Sequence, residues 1–372
     1  MISQRFMAVA ALGAAFSLGI AGCGGDKKPT TEATGSGAEE TAQLSGNLSG
    51  AGSSAQAAAM EAWTAGFQEQ NPDATVSYDP VGSGGGREQF VAGGVQFAGS
   101  DAALEDEELT GAQERCGGAD NLIEMPAYIS PIAVVYNLEG VEGLQLSPEV
   151  LAGIFKGDIT NWNDPAITED NPDAQLPDER ITVVHRSDES GTTENVQEYL
   201  AAVVGDVWDF EVSGDWPVKG QEAAQGTSGV VDAVGAGQGT IGYADASQAG
   251  ELGVAKIKVG EEFVEPTPEA AAAVVEASEE TDDAGRYVFT YDLARDTEQS
   301  GAYPIVLVSY ELICTQYDSA EQAELVKGFY NFVLSPEGQQ AAAENAGSAP
   351  LSDALREKFQ PAVEAISSTN NG

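Results

Sequence analysis

The sequence predicts an α/β protein of about two domains. Three observations predict it. The chain has 372 residues, and domains run to roughly 100–200 residues each. Its hydrophobic content of 42% suffices for real cores. One unit also recurs along the chain: an apolar strand, a turn rich in glycine or serine, then a helix. Glycine fills 44 positions, many of them clustered between apolar runs, which predicts tight loops with exposed backbone.

The N-terminal segment comes first. Residues 1–22 hold one charge, Arg5, followed by an apolar run from Phe6 to Ile20. The run is too short and too rich in small residues for a membrane span and has the layout of a secretory signal. It ends in Ile20-Ala21-Gly22-Cys23. That resembles a bacterial lipobox, in which the cysteine is lipidated and becomes the first mature residue. An ordinary signal peptide with an unmodified cysteine is the alternative. Residues 24–43 are mostly Gly, Ser, Thr, Ala, Lys and Glu without apolar periodicity, as in a flexible tether. The segments are therefore a signal peptide over 1–22 and a lipidated cysteine with its tether over 23–43.

The repeated unit begins at Leu44. A short strand ends in Gly50-Ala51-Gly52-Ser53-Ser54, and a helix follows with Met60, Trp63 and Phe67 at helical spacing. Ser53 or Ser54 is placed to cap it, and the aromatic stripe is core. The second unit runs from a strand at Thr75–Tyr78 through Gly82-Ser83-Gly84-Gly85-Gly86 into a short helix through Phe90 and Val91. A further strand, Val95–Ala98, ends at Gly99-Ser100-Asp101. The third unit has the β-branched strand Ile181–Val184, the turn Arg186-Ser187-Asp188-Glu189-Ser190-Gly191-Thr192-Thr193, and a helix from Glu194 to Val204.

A strand that feeds a helix through such a turn leaves N–H groups unpaired at the turn's mouth. The helix dipole adds roughly half a positive charge there. Three such turns meeting at the C-terminal edges of parallel strands would form a ligand site. None matches GxxxxGK[ST] or a GxGxxG with its downstream acid, so nucleotide binding is not supported. Serine-tipped turns with one arginine point to a small oxyanion.

Charge and cysteine usage exclude other classes. The formal net charge is −44, which sets aside nucleic acid and anionic headgroups as partners. Acidic runs such as Glu105-Asp106-Glu107-Glu108 and Glu279-Glu280-Thr281-Asp282-Asp283 read as solvated loops or helix rims, without EF-hand spacing. No CxxC or Cys/His cluster is present, so no metal site is expected. Behind a secretory signal, Cys116 and Cys314 lie in an oxidising compartment. They are expected to form a disulfide, with two separate buried thiols as the alternative.

His185, Asp188 and Ser190 contain the side chains of a hydrolase triad within six positions. Geometry argues against that use. Adjacent strand side chains point to opposite faces, so only one of His185 and Arg186 faces a ligand edge. No GxSxG elbow surrounds Ser190, which fits better as a helix cap, with Asp188 as the alternative. His185 is the only histidine, so histidine catalysis elsewhere is excluded.

The ordered set Gly50-Ala51-Gly52-Ser53-Ser54, Gly82-Ser83-Gly84-Gly85, Ala98-Gly99-Ser100-Asp101 and Arg186-Ser187-Asp188-Glu189-Ser190-Gly191-Thr192 resembles a known family. It is similar to the substrate-binding lipoprotein of the bacterial high-affinity phosphate ABC transporter, the periplasmic-binding-protein-like PstS family. Further on, Gly157-Asp158-Ile159-Thr160-Asn161-Trp162, Gly239-Thr240-Ile241-Gly242-Tyr243, Tyr303-Pro304-Ile305 and Ala349-Pro350-Leu351 continue the likeness across roughly residues 44–355.

The resemblance implies a two-lobed, type II periplasmic-binding-protein-like fold with two mixed-sheet α/β domains. Lobe I would take residues 44–127 and 300–372, and lobe II residues 128–299. Two hinge crossings would fall near Met125–Ile129 and Glu298–Ile305. It implies inorganic phosphate held by Ser54, Ala55, Ser83, Asp101, Arg186, Ser190, Gly191 and Thr192, without cofactor, metal or catalysis. Family members often carry an aromatic at the position of Ala55, where a backbone N–H would still serve. Arg87 takes no ligand role and is expected to be a solvated first-turn residue. The implied partners are phosphate, the permease subunits of an ABC importer, and the cell membrane through the N-terminal lipid alone, for a monomer outside the cytoplasm.

Asp101 is the telling residue. A carboxylate accepts hydrogen bonds and donates none. Phosphate near neutral pH still carries a proton and sulfate carries none, so an acceptor here would select phosphate. Capping the Ala102–Leu104 segment is its structural alternative. A sulfate or molybdate receptor of the same fold, a secreted phosphatase, and a sensing or adhesion lipoprotein are the other functions weighed.

Overall fold

A computed structural model describes residues 43–104, 106–281 and 284–369. The signal, the lipobox with Cys23 and nearly all of the tether lie outside the described residues. Among the described residues, no helix is long and apolar enough to cross a membrane.

Eight strands form the path of a large mixed sheet. They are β1 (Ser45–Gly52), β2 (Asp73–Asp79), β3 (Phe97–Ser100), β4 (Leu122–Asn137), β5 (Thr182–Arg186), β6 (Glu222–Ala224), β7 (Thr240–Asp245) and β8 (Val306–Cys314). Their order is β2-β1-β3-β8-β4-β7-β5-β6. At one end β1 runs parallel to β2 and β3. At the other, β5 runs parallel to β6 and β7. The antiparallel pair β4 and β8 joins the two ends.

β4 makes that junction. Its 16 residues span about 50 Å at ~3.3 Å each. Leu122 to Pro131 pair with β8, whereas Ile132 to Asn137 pair with β7. The exchange falls at Pro131, which has no N–H to give a ladder and is tolerated where pairing changes. The Ile132 amide then donates to the Ile305 carbonyl at 2.7 Å, just before β8 begins.

Five helices matter for the site: α1 (Ala57–Gln70), α2 (Ser83–Val91), α3 (Asp106–Cys116), α4 (Gly191–Val204) and α5 (Gly226–Ala236). The stripe of α1 is core: Met60, Trp63 and Phe67 are all buried, and the Trp63 indole donates to the Gly338 carbonyl at 2.9 Å. Trp162 is buried too, its indole donating to the Gly239 carbonyl at 3.0 Å. That bond fixes the chain just before β7. Cys116 at the end of α3 and Cys314 at the end of β8 form a disulfide, with Cα atoms 5.2 Å apart across 198 residues of sequence.

Two local expectations are corrected. Neither Ser53 nor Ser54 caps α1 through its first-turn amides; the N-cap residue is Gln56. Ser53 Oγ instead accepts from the amides of Ala55 and Gln56, at 3.1 and 3.4 Å, so the turn closes before the helix starts. No helix forms over Ala102–Leu104, which is bend and coil, and α3 begins at Asp106. Asp101 therefore caps nothing.

Candidate functional site

The turn after β5 brings Arg186, Ser190, Gly191 and Thr192 to one place. Arg186, the last residue of the strand, points into the protein and is 3% exposed. Its backbone amide donates to the Tyr243 hydroxyl at 3.2 Å. Its Nε donates to Asp188 Oδ1 at 2.8 Å, and its second fork arm donates to Oδ2. Burial pushes the Asp188 carboxyl up, but the Arg186 bond and charge outweigh this and hold it below the usual range. A bidentate carboxylate fixes the guanidinium plane and leaves its remaining N–H groups to point elsewhere.

Ser190 caps α4, its Oγ accepting from the Thr193 amide at 3.3 Å. His185, one residue before Arg186, faces away. Its Nδ1 donates to the Arg186 carbonyl at 2.7 Å, and its ring stacks on Trp216 with centroids 5.5 Å apart. Burial, only partly offset by that bond, pushes its pKa down, so the ring is neutral near pH 7. The three side chains that suggested a triad thus have three other partners.

The other two turns close on this one. Gly82 has φ +99°, and a Cβ there would lie 2.5 Å from Asp188 Oδ2 and 3.3 Å from an Arg186 nitrogen. Only glycine lets the start of α2 approach the Arg186–Asp188 fork so closely. A Cβ on Gly191 would lie 2.9 Å from Ser83 Oγ and 2.8 Å from the Asp101 Cβ. The mouths of α2 and α4 and the end of β3 are therefore in contact. Ser83 Oγ accepts from the Asp101 amide at 3.1 Å.

Asp101 is 3% exposed and lies among donors. Its carboxylate accepts from Thr192 Oγ1 at 3.0 Å and from Ser309 Oγ at 2.7 Å. Burial raises its pKa; the hydroxyls of Ser53, Ser309 and Thr192 and the charge of Arg186 pull it down without restoring the ordinary value. The Asn195 amide group donates to both the Asp101 and Gly191 carbonyls at 2.7 Å, binding the two turns together.

Ser54 and Ala55 stand on the first turn. Ser54 Oγ lies 3.0 Å from Thr227 Oγ1 and accepts from the Thr227 amide at 3.0 Å. The carbonyls of Ser54 and Ala55 accept from Gln248, at 2.9 and 3.0 Å. The Ala55 amide, expected to serve a ligand, donates to Ser53 Oγ instead.

Several residues here escaped the sequence reading: Ser53 as an Asp101 partner, Asn195, Gly226, Thr227, Tyr243 and Ser309. Arg87 also differs from expectation. It is 5% exposed rather than solvated, within 2.8 Å of Glu108 and 2.6 Å of Glu189. Its charge is consumed by these acids. Among the described residues, no group of three or more His, Cys, Asp or Glu is arranged to hold a metal. The locus offers one guanidinium, several hydroxyls and helix-mouth amides, and one buried acceptor.

A model of the PBP superfamily domain matches residues 37–337. The phosphate-binding protein PstS3 of Mycobacterium bovis BCG is 36% identical over 376 residues, covering 98% of this chain and 99% of its own. The phosphate-binding protein PstS of Xylella fastidiosa is 32% identical over 316 residues, covering 82% of each. A solved structure, the periplasmic phosphate-binding protein PfluDING with bound phosphate, is similar at TM-score 0.69 and 24% identity. That match covers 85% of this chain and 93% of the other and bears on the fold.

Proposed function

This chain belongs to the PBP superfamily, among its phosphate-binding PstS proteins, and from that premise we propose that it binds inorganic phosphate and delivers it to an ABC importer. The ligand contacts in this reading are Ser54, Ala55, Ser83, Asp101, Arg186, Ser190, Gly191 and Thr192. The observation that carries it is the meeting of the Ser83 and Ser190 turns at the Arg186–Asp188 fork, with Asp101 buried beside them and the Ser53–Ser54 turn tied in through Gly52 and Thr227.

Each group has a role. Arg186, oriented by Asp188, supplies fixed positive charge. Ser54, Ser83 and Ser190 supply hydroxyls, Thr192 supplies one by turning its proton from Asp101 to the anion, and the Gly191 turn supplies helix-mouth amides. Asp101 accepts a hydrogen bond from the proton that phosphate retains and sulfate lacks. Charge-assisted bonds contribute roughly 1.5–3 kcal/mol each, much of it offset by ordering and desolvation. A dissociation constant near or below about 1 μM follows. Ala55 is the weak member, since its amide must be shared with Ser53.

The lobes in this reading are residues 44–127 with 300–372, and residues 128–299. The hinge in this reading takes Met125–Ile129, just before the partner exchange at Pro131, and Glu298–Ile305, the chain before β8. Closure would bury the anion and present the closed form to the permease. Cys23 would be lipidated and hold the protein, a monomer and not an enzyme, outside the cytoplasmic membrane.

A calorimetric panel of phosphate, arsenate, sulfate and molybdate on protein stripped of anion tests the reading. Preference for phosphate over sulfate is expected; a preference for sulfate or molybdate would overturn it. Intact mass of the native lipoprotein tests the anchor, since an unmodified Cys23 would remove it.

A further inference from the structure

We propose that Gly226 and Thr227, the first turn of α5, position two groups of the anion site at once. They fix Ser54 as a committed donor and lock the acid that aims Arg186. The inference rests on the phosphate reading above and concerns residues which that reading leaves unused.

A serine hydroxyl has one proton and two lone pairs, and so can serve an anion or a cation. At Ser54 the Thr227 amide fills one lone pair at 3.0 Å. Thr227 Oγ1 also lies 3.0 Å away; that bond can run either way, and in this proposal Thr227 donates it to the other lone pair. With both filled, the only bond left to Ser54 is donation of its own proton. That is the state an anion needs, and in this proposal Thr227 sets it before the ligand arrives. Donors feeding a hydroxyl also strengthen the bond it gives.

One residue earlier, the Gly226 amide donates to Asp188 Oδ1 at 3.0 Å. This oxygen also takes Arg186 Nε at 2.8 Å. Two donors hold the carboxylate rotamer, and the carboxylate holds the guanidinium. Successive amides of one helix mouth therefore reach Ser54 directly and Arg186 through Asp188. Thr227 is 1% exposed and Ser54 6%, so water does not replace either contact. The turn acts through other residues and is a positioning element.

A double-mutant cycle on stripped protein tests this by phosphate calorimetry. The variants are Thr227→Val, Thr227→Ala, Thr227→Ser, Ser54→Ala, and Ser54→Ala with Thr227→Val. Thermal melts identify any variant that fails to fold, and the Ala variant then stands in for Val. Loss of the hydroxyl should weaken phosphate binding about fivefold to tenfold, and Thr227→Ser should restore it to within about twofold. In the Ser54→Ala background, Thr227→Val should add nothing. An unchanged affinity in Thr227→Val, or an effect that adds in full to that of Ser54→Ala, overturns the proposal while leaving the phosphate reading intact. Wild-type affinity in Ser54→Ala would remove the proposal and Ser54 from the site together. Absence of phosphate binding in the wild type would remove the reading beneath both.

Discussion

Arg87 of α2 and Glu189 of the β5–α4 turn meet at 2.6 Å, joining segments that the proposed lobes bring together only on closure. Glu189→Gln keeps the shape and removes the charge. The Arg87 side chain is 6% exposed and that of Glu189 39%, between an exposed pair at ~0–1 kcal/mol and a buried pair whose breaking costs ~3–5 kcal/mol. Two facts favour the low end. Arg87 keeps Glu108 at 2.8 Å when Glu189 is neutralised. Burial, with the like charges of Glu108 and Asp215, also leaves the Glu189 carboxyl above its usual range despite Arg87, so removing its charge relieves part of what the pair gains. A loss of about 1 kcal/mol is expected, which is about fivefold. It should fall on release, because in the proposed lobes the pair forms on closure. Stopped-flow kinetics on Glu189→Gln should show phosphate dissociation about fivefold faster, with association within about twofold of wild type. Glu107→Gln removes the same charge from an exposed position of α3 and should change neither. The reasoning fails if dissociation is unchanged, or if association alone slows.

Three further outcomes are expected. Asp101→Asn should narrow the phosphate-over-sulfate ratio about tenfold or more in a calorimetric panel, because an amide can donate to sulfate; lowering the pH through the raised Asp101 pKa should narrow it too. Burial pushes Glu124 and Glu311 to about 8 from an ordinary 4.5. The folded state thus holds protons that the unfolded state has released, so their contribution is full below about 4.5 and is lost as pH rises through about 8; melts from pH 5 to 9 should show it, and Glu124→Gln with Glu311→Gln should flatten the upper part. Reducing the Cys116–Cys314 bridge frees a loop of 198 residues and should cost about 2–4 kcal/mol in denaturant titrations, whereas a midpoint unchanged by reductant would deny the bridge a stabilising role.

The sequence made legible whatever depends on neighbours in the chain. Strand, turn and helix lie within about thirty residues, so period and composition reveal them. β5 and α4 are found at Thr182–Arg186 and Gly191–Val204, close to the expected spans. Strand alternation allows only one of His185 and Arg186 at the ligand edge, and the family resemblance points to Arg186. What escaped depends on distant partners. Ser309 lies 208 positions from Asp101, and Thr227 lies 173 from Ser54. Gly226-Thr227-Ser228-Gly229 does carry the same turn composition as the others. The strand before it is only three residues, Glu222–Ala224, and shows no apolar period. Arg87 was misjudged for the same reason: Glu108 and Glu189 come from two other segments and bury it together. Ser53 and Ser54 look like caps locally, yet one closes its own turn and the other meets α5.

Titration of stripped protein with phosphate, followed by intrinsic tryptophan fluorescence, tests the central claim most directly. Trp216 stacks on Tyr243 with centroids 5.4 Å apart, and the Tyr243 hydroxyl accepts from the Arg186 amide, so a reporter adjoins the site. The account predicts a saturable one-to-one response to phosphate with a midpoint at or below about 1 μM, and none to sulfate at the same concentration. Protein that is folded, stripped of anion and unresponsive to phosphate, by fluorescence and by heat, would contradict it.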